Sequence, residues 1–300
     1  MRLAELNGPP VVLDGGLATE LEARGHDLSD DLWSARLLKD APHDIVAAHV
    51  AFFRAGAQIA TTASYQATFA GFRARGIEHD DAVRLLRRSV ELAKSARDQV
   101  PGTRWVAASA GPYGAALADG SEYRGRYGLS VPELTAFHRP RLEALAAAEP
   151  DLIALETVPD ADEGAALVAA VAGLGVPAWL SYTISGRRTR AGQPLAEAFS
   201  VAADEEDIVA VGVNCCSPAD VPFAVVTARK VTGKPVIVYP NSGEDWDAQR
   251  RTWAGPARFS PEQARQWFAA GARIIGGCCR VSPADIAALS RALAEIARCG

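Results

Sequence analysis

The sequence predicts an α/β fold, a (β/α)8 TIM barrel with its active site at the C-terminal ends of the strands. Eight short apolar runs rich in Val and Ile recur along the 300 residues, and they are continuous rather than alternating. Such runs are typical of parallel strands that are covered on both faces. The segments between them show the periodicity of amphipathic helices, as in DIVAAHVAFFRAG from Asp44. A doubly wound open sheet uses the same units, but no Gly-x-Gly-x-x-Gly follows the first run, so the barrel is favoured.

The predicted strands and helix starts follow in chain order. Three helices carry a capping serine before a proline, with an Asp or Gln three positions after the serine: Ser217, Ser260 and Ser282. No linker divides the chain, so residues 1–300 are expected to form a single domain. The eight runs are PVVLDGG from Pro10, QIATTASY from Gln58, WVAASAGPY from Trp105, LIALET from Leu152, AWLSYTI from Ala178, IVAVGVNCC from Ile208, PVIVYPNS from Pro235 and RIIGGCC from Arg273.

The net charge and the cysteine content indicate which classes of binding partner the protein has and in which cellular compartment it lies. The formal net charge of -5 argues against a nucleic-acid or anionic-membrane partner, since both require a basic surface. The longest uncharged run, 165–185, contains Gly173, Gly175 and Pro177, so it is not a membrane span. The N-terminus lacks the apolar region of a signal peptide. Five cysteines cannot all pair with one another, which indicates a cytoplasmic protein with reduced thiols.

Chemically reactive side chains concentrate where the predicted strands end. Asp14 and Glu156 close the first and fourth runs, whereas none of the five histidines lies at a strand end. In a barrel these strand ends share one rim, where catalytic residues are found. Four cysteines and all six tyrosines also fall at strand ends or in the loops that follow: Cys215, Cys216, Cys278, Cys279, Tyr65, Tyr113, Tyr123, Tyr127, Tyr182 and Tyr239.

Two Cys-Cys pairs, one after the sixth run and one after the eighth, suggest a metal site. Zinc binds thiolates at about 2.3 Å and prefers four ligands in a tetrahedron. Alternate residues of a strand face opposite sides, so Cys215 and Cys216 are not expected to point inward together. The glycines before Cys278 and Cys279 allow the backbone to turn so that both reach one ion. Three protein sulfurs would leave the fourth position open, as in a catalytic zinc site.

Three motifs in this order are similar to those of the zinc-dependent homocysteine S-methyltransferases: DGGLATEL from Asp14, GVNC from Gly212 and GGCC from Gly276. The resemblance extends along essentially the whole chain. Segments 111–127 and 239–247 look more like the branch that uses S-methylmethionine or S-adenosylmethionine than like the betaine branch. The resemblance implies a (β/α)8 barrel, Zn²⁺ as the cofactor and methionine as the product.

The family's functional residues carry over to positions in these motifs. The resemblance implies that Cys215, Cys278 and Cys279 bind zinc and are the catalytic residues. It also implies that Asp14 and Glu156 bind the ammonium group of homocysteine. The N–H groups of the Gly15-Gly16 turn would take the carboxylate, and the rim tyrosines would flank a sulfonium donor. The expected substrate-binding residues are therefore Asp14, Gly15, Glu156, Tyr65, Tyr113 and Asn214.

Other functions remain open at the level of sequence. Betaine could be the methyl donor, Cys216 could complete a closed four-cysteine site in a non-catalytic barrel, or Gly276-Gly277 could bind a phosphorylated substrate. Most free cysteines are simply small buried hydrophobes. The polar loop 240–258, which contains Trp246 and Trp253, is either a lid over the site or an exposed surface loop without a role in the site.

Overall fold

The computed structural model describes residues 8–28, 33–247 and 252–299. Eight parallel strands form one sheet, and each pairs with the strands that precede and follow it in the chain. The first and last strands pair through Val11 with Ile274 and Val12 with Ile275. The strands are β1 (Val11–Val12), β2 (Ile59–Thr61), β3 (Trp105–Ala110), β4 (Leu152–Val158), β5 (Ala178–Tyr182), β6 (Ile208–Asn214), β7 (Val236–Tyr239) and β8 (Ala272–Ile275).

Backbone contacts between β1 and β2 close the sheet into a barrel. Leu13 forms a parallel bridge with Ile59. The Asp14 N–H donates to the Ile59 carbonyl at 3.0 Å, and the Gln58 N–H donates to the Val12 carbonyl at 2.7 Å. The predicted (β/α)8 barrel is confirmed, and the open sheet is excluded.

Helices surround the barrel, and at least one follows each strand. Short helices also lie at the carboxyl ends of β1 and β3. The helices are α1 (Leu17–Ala23), α2 (Leu37–Asp40), α3 (Pro42–Arg54), α4 (Phe69–Ala74), α5 (His79–Arg97), α6 (Tyr113–Leu117), α7 (Val131–Ala146), α8 (Ala161–Val171), α9 (Leu195–Ser200), α10 (Val221–Thr232), α11 (Pro261–Ala270) and α12 (Pro283–Cys299), with 3-10 turns at Trp33–Arg36, Ser121–Tyr123 and Pro218–Asp220.

Two cores account for the continuous apolar strands. Along β1, Val11 and Leu13 face the barrel interior while Val12 faces the helices, since successive side chains of a strand alternate in direction. Fully buried Trp179 fills much of the interior. Burial on both faces explains why the strands lack a polar alternation.

The predicted helix starts are largely confirmed. Ser260 forms a reciprocal capping box with Gln263 at the start of α11. Ser282 and Asp285 exchange hydrogen bonds in the same way before α12. The third start differs, because Ser217 accepts from the Ala219 N–H and opens a 3-10 turn. In the described parts of the chain, no helix has the length and apolarity needed to cross a membrane.

Candidate metal centre and active site

Three cysteines converge at the carboxyl ends of the strands. The Sγ atoms of Cys215, Cys278 and Cys279 all lie within 4.8 Å of one another. Cys215 comes directly after β6 and has a left-handed backbone, with φ at 46°. The other two follow the glycine turn after β8. Within the described residues, this is the one group of three or more His, Cys, Asp or Glu side chains that could hold a metal ion.

The donor set fits zinc. Ligands bound tetrahedrally at about 2.3 Å would lie about 3.8 Å apart, which is within the observed limit. The three thiols are also close enough to hydrogen-bond one another. Hydrogen bonds with the Cys215 and Cys278 thiols lower the pKa of Cys279, whereas hydrogen bonds with Cys215 and Cys279 raise the pKa of Cys278. The three thiols are thus electrostatically coupled to one another, as ligands of a single ion would be.

Cys216 faces away from the cluster. Its side chain is 1% exposed and belongs to the core between the barrel and the helices. Burial raises the pKa of this thiol, as expected for an inert structural cysteine. The described cluster therefore contains three sulfurs rather than the four of the closed-site alternative.

The loop after β7 holds both cysteine pairs in place. The Cys278 N–H donates to the Pro240 carbonyl at 2.8 Å, and the Cys279 N–H donates to Asn241 Oδ1 at 3.2 Å. The Asn241 N–H in turn donates to the Cys216 carbonyl at 3.0 Å. These contacts explain how two distant Cys-Cys segments come to share one rim.

The glycine turn after β8 is not arranged to bind phosphate. The Gly276 N–H donates to the Val238 carbonyl and the Gly277 N–H to the Asp14 carbonyl, each at 3.0 Å. A phosphate site needs such N–H groups free. The turn instead packs closely, since a Cβ on Gly276 would lie 2.6 Å from the Asp14 carbonyl oxygen. The geometry therefore disfavours the phosphorylated-substrate alternative.

Asp14 lies buried in the barrel mouth, after β1. Its Oδ2 accepts from the Thr61 N–H at 2.8 Å, and its Oδ1 accepts from the Thr61 hydroxyl at 3.1 Å. Burial raises the pKa of Asp14, and the charge of Glu156 raises it further. The two carboxyls are thus close enough to repel one another, which favours a bound cation between them.

Glu156 is 7% exposed, near the end of β4. The Ser109 hydroxyl donates to its Oε1, and the Tyr239 hydroxyl also lies within hydrogen-bond reach. Burial raises the pKa of Glu156 to about 7, although the bond from Ser109 lowers it in part. Glu156 and Cys215 also interact electrostatically, so this carboxyl lies near the cysteine cluster.

The Gly15-Gly16 turn offers fewer donors than expected. The Gly16 N–H donates to the Val281 carbonyl at 2.9 Å, so it is not free for a substrate. That leaves the Gly15 N–H as the one of the pair that could receive a carboxylate.

Asn214 was expected to contact substrate, but its side chain is fully buried and already bonded. Its Oδ1 accepts from the Thr157 N–H at 2.7 Å and from the Ser181 hydroxyl at 2.9 Å. Its Nδ2 donates to Thr157 Oγ1 at 2.7 Å. The Thr157 hydroxyl in turn lies within hydrogen-bond reach of the Cys215 thiol and the Tyr65 hydroxyl. This geometry favours a positioning role for Asn214, and its predicted contact with substrate gains no support.

The tyrosines that were predicted to lie at the rim have different surroundings in the structure. Tyr65 interacts electrostatically with Cys215 and Glu156, as a substrate-binding residue should. Tyr113 instead packs on Phe137, with ring centroids 4.8 Å apart, so its predicted contact with substrate gains no support. Tyr182 ends β5 as predicted, yet its side chain faces the helices and its hydroxyl donates to the Ala198 carbonyl at 2.8 Å.

Sequence reasoning missed Thr157 and Glu122 and gave Tyr123 no specific role. Tyr123 interacts electrostatically with all three clustered cysteines, and Glu122 interacts with Cys215. The signal for Glu122 and Tyr123 was their place in segment 111–127, which already resembled the sulfonium-using branch. Thr157 had no separate signal, because its role depends on contacts with Asn214.

The loop 240–258 is described only in part. Its backbone forms a small antiparallel hairpin in which Asp245–Asp247 pairs with Thr252–Ala254. The side chains of Trp246 and Trp253 and residues 248–251 lie outside the described part, so the lid hypothesis stays a prediction.

Sequence comparison identifies similar proteins along almost the whole chain. The family model described as homocysteine S-methyltransferase matches residues 11–293. The homocysteine S-methyltransferase of Escherichia coli (strain K12) is 47% identical over 290 residues, covering 93% of this chain and 94% of that protein. The homocysteine S-methyltransferase YbgG of Bacillus subtilis (strain 168) is 44% identical over 305 residues, covering 95% and 96%.

Solved structures agree with the sequence comparison. The metallated form of the homocysteine methyltransferase MmuM from Escherichia coli has a TM-score of 0.86 at 45% identity, covering 96% of this chain and 98% of that chain. A methyltransferase from Methanosarcina mazei has a TM-score of 0.62 at 13% identity, covering 98% and 97%, and it shows likeness of fold alone.

Proposed function

Because the chain belongs to the homocysteine S-methyltransferase family and is a homocysteine S-methyltransferase, we propose that it uses zinc to transfer a methyl group from a methylsulfonium donor to L-homocysteine. The convergence of three cysteine sulfurs beside two buried carboxyls carries this proposal. The metallated relative supports it, since that protein shares the fold and 45% of the sequence.

Cys215, Cys278 and Cys279 are the proposed zinc ligands. A free thiol has a pKa of roughly 8.5 and is mostly protonated at neutral pH. Zinc, when bound, would supply the ionisation of homocysteine's thiol and an open fourth position to hold it. The chain contributes three soft sulfur ligands in a partly buried cluster, which is the donor set that favours zinc over harder ions.

Asp14 and Glu156 are proposed to bind the substrate's ammonium group. Both are buried, and burial raises the pKa of each, so a substrate cation between them would stabilise their ionised forms. Ser109 and Thr61 fix the orientation of the two carboxyls. The Gly15 N–H would donate a hydrogen bond to the substrate's carboxylate. Together these groups would hold homocysteine with its sulfur towards the cysteines.

The transfer is an in-line displacement at the methyl carbon. A bond forms between the homocysteine sulfur and the methyl carbon while the bond from that carbon to the donor sulfur breaks. The electron pair of the broken bond stays on the donor sulfur, which becomes a neutral thioether. S-methylmethionine would thus give two molecules of methionine. The leaving group needs no proton, which fits a rim cluster that contains no histidine among the described residues. The chain's contribution is ionisation and alignment of the reactants.

We place the donor in the sulfonium class because segments 111–127 and 239–247 resemble that branch. Between the two sulfonium donors, S-methylmethionine is the preferred assignment, and the comparison of donors described below tests it. Residues 1–300 would act as one homocysteine-binding domain. The reaction would take place in the cytoplasm, where the free thiols remain reduced.

The test combines metal analysis with a comparison of donors. Purified protein is assayed for bound zinc, and kcat/KM is measured for S-methylmethionine, S-adenosylmethionine and betaine with homocysteine fixed. We expect one zinc per chain and the highest kcat/KM with S-methylmethionine. Betaine as the best donor would overturn the donor assignment, and full activity in protein freed of zinc would overturn the role of the metal.

A further inference from the structure

The 3-10 turn Ser121–Tyr123 lies at the barrel mouth, over the cysteine cluster. Tyr123 is 38% exposed, and its hydroxyl interacts electrostatically with Cys215, Cys278 and Cys279. Gly114 allows the turn to pack against α6, since a Cβ there would lie 2.4 Å from the Glu122 nitrogen. The turn therefore brings its side chains near the cysteine cluster, to which the methyl donor must come.

Glu122 in this turn has a buried oxygen without a partner. Among the residues that the structure describes, none forms a hydrogen bond with its Oε2. Nearby Arg126 does not supply the missing hydrogen bond, because its Nε donates to the Ala191 carbonyl at 2.9 Å. Glu122 instead interacts electrostatically with Cys215, Asp119 and Tyr65.

The cationic side chains near this turn act on other groups: the Arg190 guanidinium lies over the Tyr123 ring, 5.5 Å from its centroid, and Arg124 interacts with Asp119. Burial raises the pKa of Glu122, and the charges of Asp119 and Cys215 raise it further. A buried carboxylate oxygen without a hydrogen-bond partner is unfavourable unless a cation arrives to pair with it. Homocysteine brings its ammonium to Asp14 and Glu156, so that charge is already matched. The second substrate, the donor, is the remaining source of a cation.

We propose that Glu122 recognises the positive sulfur of the methylsulfonium donor. The inference rests on the proposed function, and it adds a residue that determines donor class. A carboxylate near the reacting sulfur attracts a sulfonium and disfavours donors that place their own carboxylate at that point. Betaine has a carboxylate next to its cationic nitrogen, so Glu122 would select against it.

The same charge pattern predicts which kinetic constant depends on Glu122. The sulfonium charge disappears as the methyl group leaves. A carboxylate therefore stabilises the bound donor more than the transition state, and more than the neutral thioether product. Removing the charge should raise the KM for the donor without lowering kcat.

The test is Glu122→Gln, which removes the charge and keeps the shape. In the zinc-loaded enzyme we expect the KM for S-methylmethionine to rise about tenfold, with kcat, zinc content and the KM for homocysteine unchanged. The probe for charge is 2-amino-5-methylhexanoate, in which a CH group replaces the sulfonium sulfur. Its inhibition constant against S-methylmethionine should be the same in wild type and variant.

Glu91→Gln is the matched control, because Glu91 is an exposed carboxylate on α5. It should leave all these constants unchanged, and thermal unfolding should show that both variants are folded. An unaltered donor KM in Glu122→Gln, or an equal loss of affinity for the neutral analogue, would overturn the inference while leaving the proposed function intact. A wild-type enzyme that cannot use S-methylmethionine would instead remove the proposed donor, and this inference with it.

Discussion

At the scale of single residues, two residues of the site have a left-handed backbone conformation, which sets the direction of their side chains. Thr157 has φ at 59° and Cys215 has φ at 46°. Such conformations cost about 1–3 kcal/mol each in a residue with a side chain, and they persist only where the surroundings enforce them. Asn214 provides that enforcement through its three hydrogen bonds to Thr157 and Ser181.

Asn214→Asp should therefore weaken metal binding without unfolding the barrel. The aspartate keeps the acceptor for the Thr157 N–H but loses the donor to Thr157 Oγ1. We expect about a tenfold loss of zinc affinity, as is common when groups that support metal ligands are changed. Competition with a chelator measures the affinity, and the visible spectrum of the cobalt-substituted enzyme reports the altered cysteine geometry. Identical affinity and spectrum would show that Asn214 does not position Cys215.

Serine substitutions separate the three clustered cysteines from their neighbour. Cys215→Ser, Cys278→Ser and Cys279→Ser should each lose bound zinc and activity, since a hydroxyl ionises far less readily than a thiol. Cys216→Ser is the control and should retain both, because that side chain lies in the outer core. Metal analysis and turnover are the measurements. Loss of zinc in Cys216→Ser but not in Cys215→Ser would reverse the assignment.

The raised pKa of Glu156 leads us to expect that ligand binding depends on pH. Its pKa is raised from the usual 4.5 to about 7, so its carboxylate forms as the pH rises through 7. Binding of an ammonium group requires the ionised form, and affinity should therefore increase between pH 6 and pH 8. Methionine suits this test, because it has the same ammonium as homocysteine but no thiol that titrates.

Glu156→Gln should weaken methionine inhibition about tenfold at pH 8 and abolish its pH dependence around 7. Zinc content should not change. If the variant keeps the wild-type profile, another group controls the binding of the ammonium.

At the scale of elements, a buried polar network joins α7 to α8 and to the end of β3. Arg141 is 1% exposed, and its Nη2 donates to the Gly111 carbonyl and to His138 Nδ1. His138 Nδ1 is thus an acceptor, so its Nε2 carries the proton and donates to Glu163 Oε1 at 3.0 Å. Burial lowers the pKa of His138, and Arg141 lowers it further, which keeps the ring neutral.

Arg141→Met should destabilise the protein by about 3 kcal/mol, because it leaves the partners of a buried charge without a donor. Arg139→Met on the same helix is the control. Arg139 forms a partly exposed pair with Glu143 at 2.7 Å, and such pairs contribute less than about 1 kcal/mol. Denaturant unfolding of both variants measures the difference. Equal losses would mean that the buried network adds no particular stability.

At the scale of the whole molecule, the cysteine cluster connects the ends of β6 and β8 across the intervening β7. A bound metal stabilises the folded state by its affinity, whereas the two apolar cores form without it. Metal removal should therefore loosen the rim but leave the barrel folded.

Zinc removal by a chelator should lower the Tm by about 5 °C or more, since saturation at 100 to 1,000 times Kd contributes about 3–4 kcal/mol. The far-UV circular dichroism at 25 °C should not change, and zinc should restore the Tm. Collapse of the far-UV signal on chelation would show that the barrel depends on its metal.

The amino-acid sequence by itself determined the barrel and most of the grouping of residues at its rim. Eight strands were predictable because a parallel strand buried on both faces must be apolar throughout its length. Asp14 and Glu156 were predictable as neighbours, because parallel strands end at one rim. The grouping of cysteines was predictable for the same reason, and strand alternation already indicated that Cys215 and Cys216 would face apart.

The tertiary structure alone decided which of those side chains meet. Cys215 rather than Cys216 joins the cluster because its left-handed φ turns the thiol towards the rim. Asn214 binds Thr157, 57 positions away, so no local pattern could reveal this contact. The buried oxygen of Glu122 could not be predicted from the sequence for a related reason. A carboxylate in a polar loop is either solvated or buried without a partner, and the elements packed against the loop determine which.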